Sequence, residues 1–205
     1  LIAQTGVRAH FGRLTSGRAA RMVARARYDG APVTADVAVP YLYLSEVDIS
    51  DFDSQCHLIP PLRTVEDRQQ LRDAVRQGTL SAICSDHQPH EPDAKLGPFP
   101  ATEPGISGLD SLLPLCLKLV DEQSIELTDL LHRLTAGPAR ILGLPYGTLS
   151  VDAIADICIF DPSTSWLLDS SSVRSNCHNT PFMGWEMKGR VTHTLLAGKL
   201  VYTLN

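Results

Sequence analysis

The sequence predicts an α/β protein in which parallel strands alternate with helices, and three observations predict it. An apolar run over residues 7–11 reads as a strand and precedes a stretch with helical spacing over residues 17–29. Residues 32–39 then alternate apolar and polar side chains, as a half-buried strand does. A second helical stretch leads into residues 80–84, a short apolar run typical of a buried strand. Strands that alternate with helices favour a parallel sheet, since parallel strands need crossover connections.

The two predicted helices carry recognisable start signals. Ser16 is suited to cap the helix over residues 17–29, because its hydroxyl can accept a hydrogen bond from a free N–H of the first turn. Thr64, with Asp67 three residues later, resembles a capping box and starts a helix that runs to Gly78.

The next part of the chain is predicted to be helical. Pro114 should kink its first helix, Thr128 should cap the second, and Pro138 suits the first turn of a short third helix. The first helix has an apolar stripe that is expected to pack in the core: Leu109, Leu112, Leu113, Cys116, Leu117 and Val120.

From Gly143 onward the pattern changes to short antiparallel strands, and we place a domain boundary near residue 144. The predicted domains are therefore residues 1–143 and 144–205. The strands are expected at residues 147–149, 155–161, 166–168 and 191–202, the last broken at Gly198.

Composition excludes several classes of partner. The chain has 205 residues, 43% hydrophobic, with a formal net charge of -5 and no basic stripe, which argues against nucleic acid. No apolar run reaches the length of a membrane span, which argues against a membrane. The five cysteines are odd in number and form no CxxC motif, which fits a reducing cytoplasm better than a disulfide framework.

The chemistry-bearing stretch is Cys84-Ser85-Asp86-His87-Gln88-Pro89-His90-Glu91, directly after the last predicted parallel strand. In α/β proteins the carboxyl ends of the strands are where active sites lie. A long loop rich in Pro and Gly follows, and such loops are usually functional or disordered. The alternative is that Asp86 caps a turn and the histidines face solvent.

This stretch, together with Glu103-Pro104-Gly105-Ile106-Ser107-Gly108-Leu109-Asp110, resembles the strand-eight signature of class I dihydroorotases in the amidohydrolase superfamily. The resemblance covers essentially the whole chain in the right order. It continues through Pro60-Pro61-Leu62-Arg63, Gly137-Pro138-Ala139, Ala155-Asp156, Phe160-Asp161-Pro162 and Asn179-Thr180-Pro181-Phe182.

The resemblance implies a (β/α)8 barrel beside a small β-sandwich, with a zinc centre at the carboxyl ends of the strands. Such proteins reversibly close carbamoyl aspartate to dihydroorotate. Residues 1–143 would then be the C-terminal part of the barrel, and residues 144–205 strands of the sandwich. The family's HxH zinc motif would lie in a preceding half, and we expect the chain to be a fragment of something longer.

The same resemblance implies roles for four residues. Asp86 matches the aspartate that binds metal and serves as general base, and His90 matches a histidine that contacts substrate. The backbone at Pro104 and Gly105 matches the loop that binds the pyrimidine ring.

Two residues depart from the family pattern. Arg13 stands where the family has a metal-binding histidine, and Ile59 stands where it has a substrate-binding asparagine. Zinc lowers the pKa of its bound water from about 15.7 to about 7, which a lone Asp86 cannot reproduce. An arginine offers only donors and a permanent positive charge, so it repels a metal ion. We expect no cofactor, with the Arg13 guanidinium close to Asp86 in place of the metal.

Two functions from different classes therefore stand side by side. One is a non-catalytic dihydroorotase-like subunit that assembles with the aspartate carbamoyltransferase catalytic subunit in the cytoplasm. The other is an active dihydroorotase with zinc at Asp86, or a related cyclic amidohydrolase such as a hydantoinase or allantoinase, which fits Gln88-Pro89-His90 less well. The other histidines are expected to be structural or at the surface: His10, His57, His132, His178 and His193.

The predicted parallel strands would form only part of a barrel. An open parallel sheet leaves unpaired backbone groups on both edges. We therefore expect these edges to pair with the remainder of the barrel or with a second chain.

Overall fold

The computed structural model describes residues 1–204 and contains one parallel and one antiparallel sheet. The parallel sheet has the strand order β1-β2-β3, in which β1 is Ala9–Phe11, β2 is Val33–Ala38 and β3 is Ala82–Cys84. All three strands lie where the sequence predicts them. The register pairs Phe11 with Ala35 and Ala38 with Cys84, so the residues after β1 and β3 emerge at the same edge of the sheet.

Six α-helices accompany the sheets in the described part of the chain. They are α1 Ile2–Thr5, α2 Gly17–Tyr28, α3 Val65–Arg76, α4 Leu109–Asp121, α5 Leu127–Leu134 and α6 Ala136–Leu142. Short 3-10 turns fill much of the connection between β2 and α3, and between β3 and α4.

The predicted caps of α2 and α3 are present, but the Asp67 carboxylate bonds the Thr64 hydroxyl where a capping box would bond the Thr64 N–H. The Ser16 hydroxyl accepts a hydrogen bond from the Ala19 N–H at 3.3 Å, and Thr64 Oγ1 accepts one from the Asp67 N–H at 3.1 Å. Asp67 also joins the helices, because its Oδ1 accepts the Gly17 N–H at 2.9 Å. The crossover helices are therefore fixed to each other at their first turns.

The core lies between the parallel sheet and these helices. Ala35 and Val37 of β2 have no exposed surface, and alternate positions of the same strand, Thr34 and Asp36, are only partly buried. Successive side chains of a strand point to opposite faces, so one face of β2 meets the helices and the other carries polar groups.

The predicted stripe of α4 is confirmed at most positions, because Cys116 and Leu117 are buried and Leu112, Leu113 and Val120 pack against the core. Leu109, placed in the predicted stripe, is 59% exposed, whereas Leu115 and Leu119 are fully or almost fully buried. The buried surface of the helix is wider than the predicted stripe, because α4 packs against both the core and the antiparallel sheet. Pro114 lies inside a helix that continues for seven more residues.

The start of α5 also differs from the prediction. The helix begins at Leu127 after Glu126, so Thr128 lies within the first turn and does not cap it. The short helix α6 contains Pro138 near its start, as predicted.

The second sheet is antiparallel and has the order β4-β5-β6, with β4 Ile157–Leu167, β5 Glu186–Leu196 and β6 Lys199–Thr203. The strands predicted at residues 155–161 and 166–168 form the single strand β4, which continues through an irregularity after Asp161. Residues 147–149, predicted as a strand, form none. The predicted break at Gly198 is confirmed, because Ala197 and Gly198 form the turn between β5 and β6 with φ of 49° and 77°. The domain division near residue 144 stays a prediction.

Helix α4 packs directly on β5. Met187 is 3% exposed, and a Cβ built at Gly189 would meet Leu117 Cδ1 at 2.2 Å. This close approach explains why residue 189 has no side chain. Over residues 1–204, none of the helices combines the length and the apolar character needed to cross a bilayer.

Candidate functional site

Asp86 and Arg13 lie together at the carboxyl edge of the parallel sheet. Arg13 follows the end of β1 by two residues, and Asp86 follows the end of β3 by two residues. Both have left-handed backbone conformations, with φ of 56° for Arg13 and 45° for Asp86. Such values are uncommon for residues other than glycine and persist where the surroundings enforce them.

The predicted contact between these two side chains is present. Arg13 Nη1 lies 3.3 Å from Asp86 Oδ1 and 3.5 Å from Oδ2. The carboxylate side chain is 14% exposed and the guanidinium side chain 46% exposed. The pair is therefore an ion pair that is open to solvent on the arginine side.

Asp36 organises the backbone beneath this pair. Its Oδ1 accepts the Arg13 N–H at 2.7 Å, and its Oδ2 lies 2.7 Å from His10 Nε2. The other ring nitrogen of His10 lies 2.8 Å from Thr34 Oγ1. The Cys84 thiol also points at Asp36 Oδ1, at 3.6 Å. One carboxylate thus joins all three parallel strands at the edge where Asp86 emerges.

Sequence reasoning missed Asp36 and assigned no site role to His10. A signal for Asp36 was present: it shares one face of an alternating strand with Thr34, opposite the buried Ala35 and Val37. Strands of parallel sheets are usually apolar on both faces, so a polar face on such a strand indicates that polar side chains meet there.

Two further groups near the pair are held in their neutral forms. Burial, followed by the carboxylates of Asp36 and Asp86, raises the pKa of the Cys84 thiol to about 12. Burial, and then the charge of Asp86, raises the pKa of Tyr41 well above its usual range. The Tyr41 hydroxyl donates to the Pro60 carbonyl oxygen. Neither group supplies a nucleophile at neutral pH.

His90 and the loop at Pro104 and Gly105 are brought together, as the resemblance implies. His90 Nε2 lies 3.0 Å from the Pro104 carbonyl oxygen. Asn179 holds both segments, because its Oδ1 accepts the His90 N–H at 2.9 Å and its Nδ2 donates to the carbonyl oxygens of Gln88 and Gly105. The roles of His90, Pro104 and Gly105 in binding a substrate stay predictions.

The loop requires glycine at position 105 for two reasons. Gly105 has φ of 131°, and a Cβ built there would meet the Gln88 Cβ at 2.5 Å. Ile59, which stands at the second departure from the family pattern, is 61% exposed. An exposed isoleucine offers no hydrogen bond to a polar ligand at that position.

The described residues around Asp86 do not by themselves form a metal site. Within residues 1–204, no group of three or more His, Cys, Asp or Glu side chains is arranged to hold one. The nearest charged neighbour of Asp86 is a guanidinium, which has no lone pair to donate and repels a cation. The imidazole of His10 has both nitrogens engaged by Asp36 and Thr34.

Comparison with known proteins matches this chain to one family. The model of the amidohydrolase family matches residues 5–201. A dihydroorotase-like protein from Pseudomonas aeruginosa is 50% identical over 202 residues, and one from Pseudomonas putida is 48% identical over 204 residues. A dihydroorotase from Syntrophotalea carbinolica is 40% identical over 201 residues. Each alignment covers 98% of this chain, which spans about half the length of these curated relatives (47–48%).

Solved structures with the same fold include hydantoinases. L-hydantoinase (dihydropyrimidinase) from Arthrobacter aurescens matches with a TM-score of 0.91 and 24% identity, covering 99% of this chain and 47% of that one. D-hydantoinase from Bacillus sp. AR9 matches with a TM-score of 0.90 and 25% identity, covering 98% of this chain and 46% of that one. These matches, with the parallel sheet, confirm the predicted fold class.

Proposed function

The chain belongs to the amidohydrolase family, and we propose that within this family the protein is a dihydroorotase-like subunit that does not catalyse cyclisation. In this proposal it assembles with the catalytic subunit of aspartate carbamoyltransferase and serves pyrimidine biosynthesis in the cytoplasm. The dihydroorotase-like relatives from Pseudomonas support the dihydroorotase-like character. The assembly partner comes from the sequence resemblance.

The observation that carries the loss of catalysis is the ion pair between Arg13 and Asp86. Hydrolysis or closure of a cyclic amide needs an activated water and a base that can take its proton. The carboxylate of Asp86 faces a guanidinium 3.3 Å away instead of a metal ligand. The Arg13 guanidinium contacts both oxygens of this carboxylate, at 3.3 and 3.5 Å, and it has no lone pair and no open coordination position with which to activate a water. The fold is retained while this chemistry is opposed, and that combination favours a structural role.

A second candidate is an active dihydroorotase or a related cyclic amidohydrolase. Asp86 is present at the predicted position, and His90 lies against the Pro104 loop as a substrate contact would. The relative from Syntrophotalea carbinolica, at 40% identity, is named dihydroorotase. In this candidate function the guanidinium of Arg13 moves away from Asp86 when zinc binds.

Turnover and metal content of the purified full-length protein distinguish the two. We expect no dihydroorotate turnover above the level of the Asp86→Asn variant, and no zinc that depends on Asp86. Asp121→Asn is a matched control, because Asp121 pairs with Lys188 on the surface, away from the parallel sheet. Zinc near one equivalent per chain, lost in Asp86→Asn but kept in Asp121→Asn and accompanied by turnover, would establish the active enzyme instead.

Assembly is a separate measurement. The full-length protein and the aspartate carbamoyltransferase catalytic subunit from the same organism should elute as one species in size-exclusion chromatography with light scattering. Asp86→Asn should leave that complex intact, since the proposed role does not use the carboxylate. If the two proteins elute separately at concentrations above about 10 µM, a Kd tighter than about 10 µM is excluded. That result would contradict the proposed partner.

A further inference from the structure

A cleft lined by two arginines lies between helix α4 and the antiparallel sheet. Its volume is about 260 Å³, and its lining does not include Arg13, Asp86 or His90. Leu113 and Pro114 of α4 form an apolar wall, and Arg174 and Arg190 lie on the side of the antiparallel sheet. Nothing in the proposed function uses this cleft.

Each arginine is held on an aromatic ring. The Cζ atom of Arg190 lies 4.7 Å from the centre of the Trp166 ring, and that of Arg174 lies 5.4 Å from the centre of the Tyr202 ring. Trp166 is itself fixed, because its Nε1–H donates to the Gly189 carbonyl oxygen at 3.0 Å. A stacked guanidinium loses less rotational freedom when it binds an anion, so these two groups are partly preorganised.

The positive charge of the cleft is not cancelled by ion pairs. Within residues 1–204, neither Arg174 nor Arg190 is among the arginines that form an ion pair with a carboxylate. Asp110 also lines the cleft, but its two oxygens accept the backbone N–H groups of Arg174 at 2.9 Å and Ser175 at 3.2 Å. The cleft therefore contains one negative charge, on Asp110, and two positive charges, on Arg174 and Arg190, so its net charge is positive.

We propose that this cleft binds a small organic anion. Its phosphate or carboxylate group is held by Arg174 and Arg190, whose planar donor forks match the oxygens of either anion. Its flat apolar body lies against the wall formed by Leu113 and Pro114. The volume of about 260 Å³ is slightly below the usual range of ligand pockets, which suits a small molecule.

Calorimetric titration of the full-length protein tests this site with three probes. Phenyl phosphate carries both the anion and the ring, inorganic phosphate carries only the anion, and phenol carries only the ring. We expect phenyl phosphate to bind more tightly than either of the other two and to bind more weakly as salt rises. Binding should change the fluorescence of Trp166, and Trp166→Phe should remove that change.

Variants assign the binding to the arginines. Arg174→Gln and Arg190→Gln should each weaken phenyl phosphate binding about tenfold or more, because each removes a charge-assisted hydrogen bond. Arg190→Lys keeps the charge without the fork and should give an intermediate loss, which separates anion recognition from unfolding. Arg18→Gln on the outer face of α2 is the matched control and should leave the affinity unchanged.

Three results would overturn the proposal. One is the absence of saturable phenyl phosphate binding up to about 10 mM, which is ten times a weak Kd of about 1 mM. The second is equal affinity in wild type, Arg174→Gln and Arg190→Gln. The third is a loss of affinity in Arg18→Gln as large as in the cleft variants, which would show general attraction to surface charge.

Discussion

Removing the guanidinium of Arg13 leaves the carboxylate of Asp86 without its cation. The test is a double-mutant cycle with Arg13→Met, which keeps the length of the side chain, and Asp86→Asn, which keeps its shape. Asn is well suited to position 86, where φ is 45°, because it tolerates the left-handed region better than most residues. The cycle therefore isolates the interaction of the charges from backbone strain.

The size of the coupling follows from distance and exposure. Two unit charges 3.3 Å apart attract by about 1 kcal/mol in water and about 5 kcal/mol at an effective dielectric constant of 20. Exposed pairs give about 0.2 to 1 kcal/mol in double-mutant cycles, whereas unpairing a buried charge costs about 3 to 5 kcal/mol. The carboxylate is 14% exposed and the guanidinium 46% exposed, so the pair lies between these cases. We expect a coupling free energy of about 1 to 2 kcal/mol.

Urea unfolding at pH 7, followed by circular dichroism, gives the coupling energy. The control is a second cycle on Lys188 and Asp121, a pair 3.0 Å apart in which both side chains are 47% exposed. The coupling energy of Lys188 with Asp121 should be below about 0.5 kcal/mol. It should vanish in 1 M salt, because the Debye length is then only about 3 Å. A coupling of Arg13 with Asp86 no larger than that of the control pair would refute the view that Arg13 neutralises Asp86.

Three further outcomes are expected. Only the thiolate of a cysteine is alkylated, and the pKa of Cys84 is raised to about 12. The alkylation rate of Cys84, followed by site-resolved mass spectrometry, should therefore rise about tenfold per pH unit through pH 9. A plateau of this rate near pH 9 would contradict the raised pKa. Gly137→Ala should lower the free energy of unfolding by about 1 to 3 kcal/mol, because its Cβ would lie 2.5 Å from the Ser81 carbonyl oxygen, whereas Gly12→Ala, with 3.6 Å to its nearest neighbour, should be tolerated; equal stability of the two variants would contradict the packing. The isolated 205-residue chain should associate through its sheet edges, and light scattering that finds a compact monomer with cooperative unfolding would show the opposite.

The parallel strands and their helices could be predicted because local signals agreed with the tertiary structure. Ser16 and Thr64 cap the helices that their positions predict, since capping depends on atoms within three residues. The contact of Arg13 with Asp86 joins residues 73 positions apart in the chain. It could be predicted only from the family resemblance, which assigns both positions to one centre.

Predictions failed where distant packing decides the outcome. Helix α4 turns Leu115 and Leu119 inward and leaves Leu109 exposed, because the antiparallel sheet occupies a second side of the helix. Asp36 was missed because its partners come from β1 and β3. A single strand does not show which neighbours its polar face will meet.

The backbone at the sheet edge is held independently of the side chain at position 13. Asp36 holds the left-handed turn at Arg13 by accepting the backbone N–H of Arg13 at 2.7 Å. The guanidinium of Arg13 pairs with Asp86 and not with Asp36. The backbone frame therefore does not depend on the side chain at position 13. A histidine there would start from the same Cα position, two residues beyond β1 and facing the same carboxylate. The side chain at position 13 can therefore change on a frame that Asp36 and His10 hold in place, and such a change leaves the fold intact.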